Sequence, residues 1–131
     1  MPLDFGRTIT TVTTNAAGEN RSFKTPVVLV GFGRPQKTQQ VFDQIKKIRP
    51  EKLFAIFDGP RNENDRPYCE AVRAIVDQQV DWPCQVFKQY PPSNLRNKPN
   101  MVGGFNWVFE NVEEAIILED DCIPDLTFFR Y

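Results

Sequence analysis

Histidine is absent from this chain of 131 residues. Without an imidazole group, the chain cannot build a Ser-His-Asp or Cys-His catalytic arrangement, a histidine-ligated zinc site or an imidazole general base. Any chemistry at this protein must therefore use carboxylates, amines, hydroxyl groups or a metal ion held by oxygen atoms.

Cysteine is scarce as well, and the three residues Cys69, Cys84 and Cys122 are widely spaced. No C-x-x-C pair occurs among them, which argues against a zinc ribbon and against a dithiol redox motif. Reduced thiols in a cytoplasmic protein are the simplest interpretation.

Long apolar runs and an excess of one charge are also missing. The formal net charge is −1, and no basic cluster is long enough to follow a phosphate backbone, so we expect no nucleic acid partner. No apolar run approaches the length that spans a membrane. Residues 1–24 lack the pattern of a secretory signal and are interpreted as a flexible arm ahead of the domain. The alternative is an edge strand over residues 8–14.

From residue 25 onward, short apolar segments alternate with amphipathic ones, which predicts one α/β domain over residues 25–131. We predict strands at 26–32, 52–58, 84–90 and 115–120, and helices at 36–48, 64–79 and 100–112. In the last helix, Val102, Phe105 and Phe109 share a face that we expect to lie in the core. The alternation predicts a mostly parallel, Rossmann-like sheet with helices on both faces.

Ligands of open α/β sheets bind beyond the carboxyl ends of the strands. Four segments follow the predicted strands at that edge: GFGR (31–34), DGPR (58–61), YPP (90–92) and EDD (119–121). Taken alone, Arg34 resembles a surface arginine and Asp58 a turn residue. Because a parallel sheet brings both to one edge, we expect them to contact a ligand.

The acidic triplet Glu119-Asp120-Asp121 is the most distinctive of these segments. Three adjacent carboxylates repel one another unless a cation offsets their charge. Alternate side chains of a strand point to opposite faces, so Glu119 and Asp121 are predicted to share a side. Oxygen ligands of this kind suit Mg²⁺ or Mn²⁺. The alternative is a solvated acidic turn followed by a helix that Asp125 caps.

The segment VVLVGFGRPQ (27–36) raises a different possibility, a dinucleotide-binding turn. Its G-x-G-x-x-G fingerprint is incomplete, because Gln36 stands where the third glycine belongs. A nicotinamide-binding protein is therefore a minor alternative.

Three segments carry a more specific resemblance: PVVLVGFGRP (26–35), FAIFDGPRNE (54–63) and the stretch from NLRNKPN to ILEDDCIPDLTFF (94–129). They resemble the N-terminal half of GT-A fold glycosyltransferases. The similarity is greatest to bacterial nucleotide-diphospho-sugar transferases akin to the N-acetylglucosaminyltransferase I type, which carry Glu-Asp-Asp in place of Asp-x-Asp. The resemblance covers about residues 25–131.

The resemblance implies that Asp121 coordinates Mn²⁺ (or Mg²⁺) bridging the donor diphosphate. It places Glu119 and Asp120 beside the sugar and the ribose, and Arg34 and Asp58 at the nucleobase. The implied partners are a nucleotide-diphospho-sugar donor and an acceptor, either a glycan or a small molecule. In this chain the loop after the third predicted strand has Arg96 where relatives usually have glycine.

Relatives of this type continue well past the metal motif, so the chain is expected to be truncated after it. Two functions remain open at this point: the donor domain of a glycosyltransferase, or a catalytically silent nucleotide-binding or interaction module. Apolar surface on a cut sheet would favour self-association as a homo-oligomer.

Overall fold

Five strands and three helices make up the computed structural model, which describes residues 3–13 and 23–121. In chain order they are β1 (Arg7–Val12), β2 (Val27–Gly31), α1 (Pro35–Ile48), β3 (Lys52–Phe57), α2 (Arg66–Gln79), β4 (Cys84–Gln89), α3 (Asn97–Asn111) and β5 (Ile116–Glu119). The predicted strands and helices from residue 25 onward are confirmed, with ends that differ by a few residues.

The strands form a single sheet in the order β1-β4-β3-β2-β5. β2 pairs in parallel with both β3 and β5, and β3 pairs in parallel with β4. Only β1 is antiparallel among the described strands. The predicted α/β class and the mostly parallel sheet are therefore confirmed. The central strands β2 and β3 read as continuous apolar runs because helices cover both of their faces.

Two hydrophobic cores lie on opposite faces of this sheet. On one face, α1 and α2 pack against the strands through a large cluster that includes Phe42, Val72 and Trp82. On the other face, α3 covers a smaller cluster in which Trp107 meets the rings of Phe54 and Phe87 edge-on. Helices thus cover both faces, as the alternating pattern predicts.

The prediction of a flexible arm is wrong for Arg7–Val12, which form β1. This strand pairs antiparallel with β4, from Arg7 opposite Gln89 to Val12 opposite Cys84. The alternative of an edge strand at 8–14 is confirmed up to Val12. The threonine-rich segment suits an edge because β-branched residues favour extended backbone even where they are exposed. Residues 1, 2 and 14–22 of the predicted arm lie outside the described residues.

The predicted core face of α3 is wrong for Val102 and Phe109, whereas Phe105 is partly buried and packs against the smaller cluster. Val102 and Phe109 are each 50% exposed, whereas the buried residues are Asn100, Gly104, Trp107 and Val108. A Cβ atom on Gly104 would lie 2.7 Å from the Cγ2 atom of Ile56. The glycine therefore faces the sheet and lets the helix approach it closely, which places Trp107 in the core and leaves Phe109 exposed.

None of the helices in the described ranges is both long enough and apolar enough to cross a membrane.

Candidate functional site

The carboxyl ends of the parallel strands surround a cavity of about 460 Å³. Its wall includes all five of the residues that the sequence analysis places at a ligand: Arg34, Asp58, Glu119, Asp120 and Asp121. Positions separated by up to 87 residues along the chain thus meet at one edge of the sheet. The parallel register brings them together, because β2 lies between β3 and β5.

Arg34 and Asp120 form a bidentate ion pair across the cavity edge. The Arg34 Nε atom donates to Oδ2 of Asp120 at 3.2 Å, and Nη2 donates to Oδ1 at 2.8 Å. The Asp120 side chain is 7% exposed and the Arg34 side chain 55%. The carboxylate that was expected beside a ribose is therefore held by an arginine in this structure, and the arginine keeps its remaining N–H groups toward solvent.

The other two acids of the triplet are exposed. Glu119, which ends β5, and Asp121, in the turn that follows, both line the cavity, while Asp120 between them is buried. The burial of these residues alternates as expected at a strand end, and all three line the same cavity.

Asp58 combines a place on the cavity wall with a structural role. Its Oδ1 atom accepts hydrogen bonds from the backbone N–H of Gly59 at 2.8 Å and of Leu95 at 2.9 Å. The residue is buried, with 5% of its surface exposed. Asp58 therefore joins the turn after β3 to the loop between β4 and α3, and this loop forms one side of the cavity.

The loop residue Asn94 completes that connection. Its Nδ2 atom donates to the carbonyl of Gly59 at 2.9 Å, and its Oδ1 atom accepts from the backbone N–H of Arg96 at 2.9 Å. Arg96 has a φ angle of 59°, a backbone region that glycine occupies without strain and other residues rarely adopt. Arg96 thus occupies a position whose conformation glycine would adopt more easily.

The carboxylates at the end of β5 suit a divalent ion that takes only one or two ligands from the protein and the rest from water or a bound phosphate. Within residues 3–13 and 23–121, no group of three or more Asp, Glu or Cys side chains is arranged to enclose a metal ion. Mg²⁺ and Mn²⁺ commonly use one or two carboxylates, completing the shell with water and phosphate oxygens. Glu119 and Asp121 are exposed acids that suit this second kind of site.

The cavity wall also contains residues that the sequence analysis did not select as ligand contacts. Arg61 lies with its guanidinium carbon 5.3 Å from the centre of the Phe32 ring and pairs with Asp65 at 2.8 Å. Asn97 and Asn100 belong to the first turns of α3. The DGPR segment ends at Arg61 and could have pointed to it. Asn100 gives no such signal, because it lies inside a helix and follows no strand.

Two cysteines within the described ranges are free and buried, and neither has the exposed, low-pKa environment of a nucleophile. Burial raises the pKa of the Cys69 thiol, and it raises that of Cys84 to about 12. The residues Cys122 and Asp125, the second of which was expected to cap a helix, lie outside the described residues.

Comparison of the chain with protein-family models gives no match, and comparison with curated proteins gives none either. The fold and the cavity therefore carry the functional argument.

Proposed function

We propose that the cavity binds a nucleotide-diphospho-sugar together with Mn²⁺ or Mg²⁺, as the donor site of a GT-A type glycosyltransferase. One observation carries the proposal. The five residues that the motif resemblance assigns to donor and metal, Arg34, Asp58, Glu119, Asp120 and Asp121, all line the same cavity. A cavity of about 460 Å³ is also within the range that binds small molecules.

The roles proposed for these residues follow from their exposure and contacts. Asp121 and Glu119 are exposed carboxylates and would hold the divalent ion. When bound, the ion would neutralise the diphosphate leaving group as the glycosyl bond breaks. Asp120 would act mainly by orienting Arg34, because both of its oxygens accept hydrogen bonds from the guanidinium group. The N–H groups of Arg34 that remain would then meet the nucleotide.

Asp58 would position the nucleotide by shaping the wall of the cavity. Its Oδ1 atom is occupied by two backbone N–H groups. The Oδ2 atom accepts no hydrogen bond from any residue in the described part of the chain and would be the atom that contacts a nucleobase.

The proposal is tested by titrating uridine diphosphate and UDP-sugars by calorimetry, with and without Mn²⁺, into the wild type and Asp121→Asn. The variant keeps the size of the side chain and removes the charge that holds the ion. We expect affinity in Mn²⁺ to fall at least about tenfold, which corresponds to about 1.4 kcal/mol. Stability without metal should be unchanged or slightly higher, because one repelling charge has left the triplet.

A matched control is Glu114→Gln, which removes the same charge from an exposed position shortly before β5, at the opposite end of that strand from the cavity. This variant should bind as the wild type does. Equal losses in both variants would indicate general electrostatics, and binding that ignores Mn²⁺ would overturn the metal-bridged donor site.

A catalytically silent nucleotide-binding module is the alternative function, and one observation favours it. Both oxygens of Asp120 already accept from Arg34, and the proposal assigns Asp58 to the nucleobase and the two exposed carboxylates to the metal. Among the described cavity residues, no carboxylate is then left to activate an acceptor hydroxyl. Metal-dependent binding of UDP-sugars without release of UDP in the presence of acceptors would support this alternative.

A further inference from the structure

A chain of hydrogen bonds leads from the edge strand β1 to the wall of the cavity. The Arg7 Nε atom donates to Oε1 of Gln89 at 3.0 Å. The Nε2 atom of Gln89 in turn donates to the backbone carbonyl of Asn100 and to its side-chain Oδ1 atom, both at 3.0 Å. Gln89 is fully buried, and Asn100 is 1% exposed.

The donors and acceptors along this chain can be assigned without ambiguity. A guanidinium group only donates and a backbone carbonyl only accepts, so Gln89 must present Oε1 to Arg7 and Nε2 to Asn100. The atom of the Asn100 side chain that faces Gln89 must then be its oxygen. The Nδ2 atom of Asn100 is left pointing the other way, and it donates to no residue that the structure describes.

We place this unpartnered N–H group at the cavity. Asn100 lines the cavity wall, and its Nδ2 atom is not among the fully enclosed side-chain atoms that lack a partner. Because the residue is almost wholly buried elsewhere, the cavity is where the group remains accessible. A buried amide donor without a partner is costly, and a ligand oxygen would satisfy it.

The N-terminus of α3 adds further donors beside Asn100. The helix begins at Asn97, which also lines the cavity. The backbone N–H groups of Asn97 and Lys98 have no acceptor within the helix, and no side chain caps it. No acidic residue lies in its first turn, so the positive end of the helix dipole is not neutralised there. The cavity wall formed by α3 therefore presents hydrogen-bond donors, whereas the end of β5 presents carboxylates, which are negatively charged acceptors.

We propose that Asn100 Nδ2 and the N-terminus of α3 form a phosphate subsite, whose polarity is set by Gln89 and Arg7. The inference deepens the proposed function and rests on it, since the phosphate would belong to the nucleotide-sugar. Phosphate oxygens accept hydrogen bonds and carry negative charge, so they match both the amide donor and the helix terminus. Gln89 and Arg7 do not touch the ligand and are positioning residues.

Asn100→Asp is the decisive variant. The aspartate keeps the oxygen that accepts from Gln89 and replaces only the cavity-facing N–H group by a second oxygen. We expect the affinity for inorganic pyrophosphate, measured by calorimetry without metal, to fall at least about tenfold. The affinity for uridine, which lacks a phosphate, should be unchanged. Asn106→Asp adds the same charge at an exposed position of the same helix and should bind as the wild type does.

Gln89→Glu tests the positioning role separately. An ionised glutamate pairs with Arg7 but cannot donate to Asn100, so the Asn100 amide turns its Nδ2 atom toward residue 89 and its oxygen toward the cavity. Pyrophosphate affinity should then fall although residue 89 does not line the cavity. In the wild type, the side-chain amide NMR signals of Asn100 should shift when pyrophosphate is added. In Gln89→Glu they should not shift.

The possible results separate this inference from the proposed function. If Asn100→Asp loses pyrophosphate affinity but UDP binds the wild type equally well with and without Mn²⁺, the subsite is supported and the metal-bridged donor site is rejected. Metal-dependent UDP binding that Asn100→Asp leaves unchanged would retain the donor site and overturn the subsite. The subsite is also overturned if pyrophosphate does not bind the wild type, or if uridine affinity falls equally in Asn100→Asp.

Discussion

The Arg34 guanidinium group and the Asp120 carboxylate join the turn after β2 to the end of β5 through two hydrogen bonds of 2.8 and 3.2 Å. The carboxylate is 7% exposed and the guanidinium side chain 55%. A buried charge is costly without a partner, whereas an exposed arginine is well hydrated when alone. Loss of Arg34 should therefore cost more stability than the exposed arginine itself loses when Asp120 is removed.

The variant Arg34→Met should be destabilised by about 1–2 kcal/mol, because it leaves the buried Asp120 carboxylate unpaired. This is less than for a fully buried pair, since water already screens Arg34. The double variant with Asp120→Asn should recover part of the loss. Urea unfolding of the two single variants and the double variant would give the coupling energy, which we expect to be about 1 kcal/mol.

The ion pair between Lys46 and Asp81 is a suitable control for this comparison of single and double variants. Its atoms lie 3.6 Å apart, and both side chains are exposed by more than 40%. We expect its coupling energy to stay below about 0.5 kcal/mol. Equal coupling energies for the two pairs would contradict the view that burial of Asp120 strengthens its pair with Arg34.

Arg96 provides a test of backbone strain at the cavity loop. Its φ angle of 59° is unfavourable for a residue with a Cβ atom. Arg96→Gly should therefore stabilise the protein by up to about 1 kcal/mol, although the extra freedom of glycine in the unfolded chain offsets part of the gain. Arg96→Ala removes the same charge and keeps the Cβ atom, so it should give no such gain in the midpoint of thermal unfolding. A gain in both variants would assign the effect to charge.

The order of strands and helices from residue 25 onward could be predicted because each segment carries its own periodicity. A strand such as β3 is apolar throughout, and a helix such as α1 ends where Arg49 takes a left-handed conformation just before Pro50. β1 could not be predicted with the same certainty. Its residues are mostly exposed, and its partner β4 lies far along the chain, so local composition gives little indication of the pairing.

The buried face of α3 escaped prediction for a different reason. The apolar residues Val102, Phe105 and Phe109 form a regular helical face, but contact with the sheet is decided by how closely the backbone can approach. Gly104 permits that approach next to Ile56. Side-chain hydrophobicity cannot indicate a contact that depends on the absence of a side chain.

The buried face of α3 predicts which aromatic residue of this helix supports the fold. Trp107→Ala should lose about 3–5 kcal/mol, because its ring packs edge-on against the stacked rings of Phe54 and Phe87 in the smaller core. Phe109→Ser, at a side chain that is 50% exposed, should lose less than about 1 kcal/mol. Chemical denaturation of both variants would measure the difference. Comparable losses of stability in the two variants would indicate that Phe109 lies in the core, as expected from the sequence.

At the candidate site, the sequence predicts which residues lie together, but it does not predict the hydrogen bonds that their side chains make. Parallel strands bring Arg34, Asp58 and the acidic triplet to one edge, because strand ends meet wherever the sheet is parallel. The engagement of Asp120 by Arg34 depends on the path of the turn after β2. The donor on Asn100 depends on Gln89, a residue inside a strand that no local motif marks.

The buried thiol of Cys84 predicts a loss of stability in alkaline solution. Its pKa is raised by burial from an ordinary value of 9.0 to about 12. Above pH about 9 the unfolded chain releases this proton while the folded chain keeps it, so stability is fully present below that pH and falls as the pH rises toward 12. The slope for one proton is about 1.4 kcal/mol per pH unit.

Urea unfolding at a series of alkaline pH values would measure this slope, and Cys84→Ala should reduce it. Tyr90 should retain a part of the dependence in that variant, because burial also raises the pKa of its phenol. An unchanged slope in Cys84→Ala would show that the thiol is not responsible.

The antiparallel pairing of β1 has a consequence for how the protein is made. Arg7 hydrogen-bonds to Gln89, 82 positions later, so β1 leaves the ribosome long before its partner does. Closing so large a loop is slow, and the contacts that reward it form only at the end. Because the same arginine fixes Gln89 and hence the orientation of the Asn100 amide, the cavity takes on its final polarity only when β1 has joined the sheet. The acidic side of the cavity comes later still, because β5 follows β4 in the chain and pairs with β2, from Val27 opposite Ile116. The acidic triplet at the end of β5 therefore joins the cavity after β1 and β4 are both available to pair.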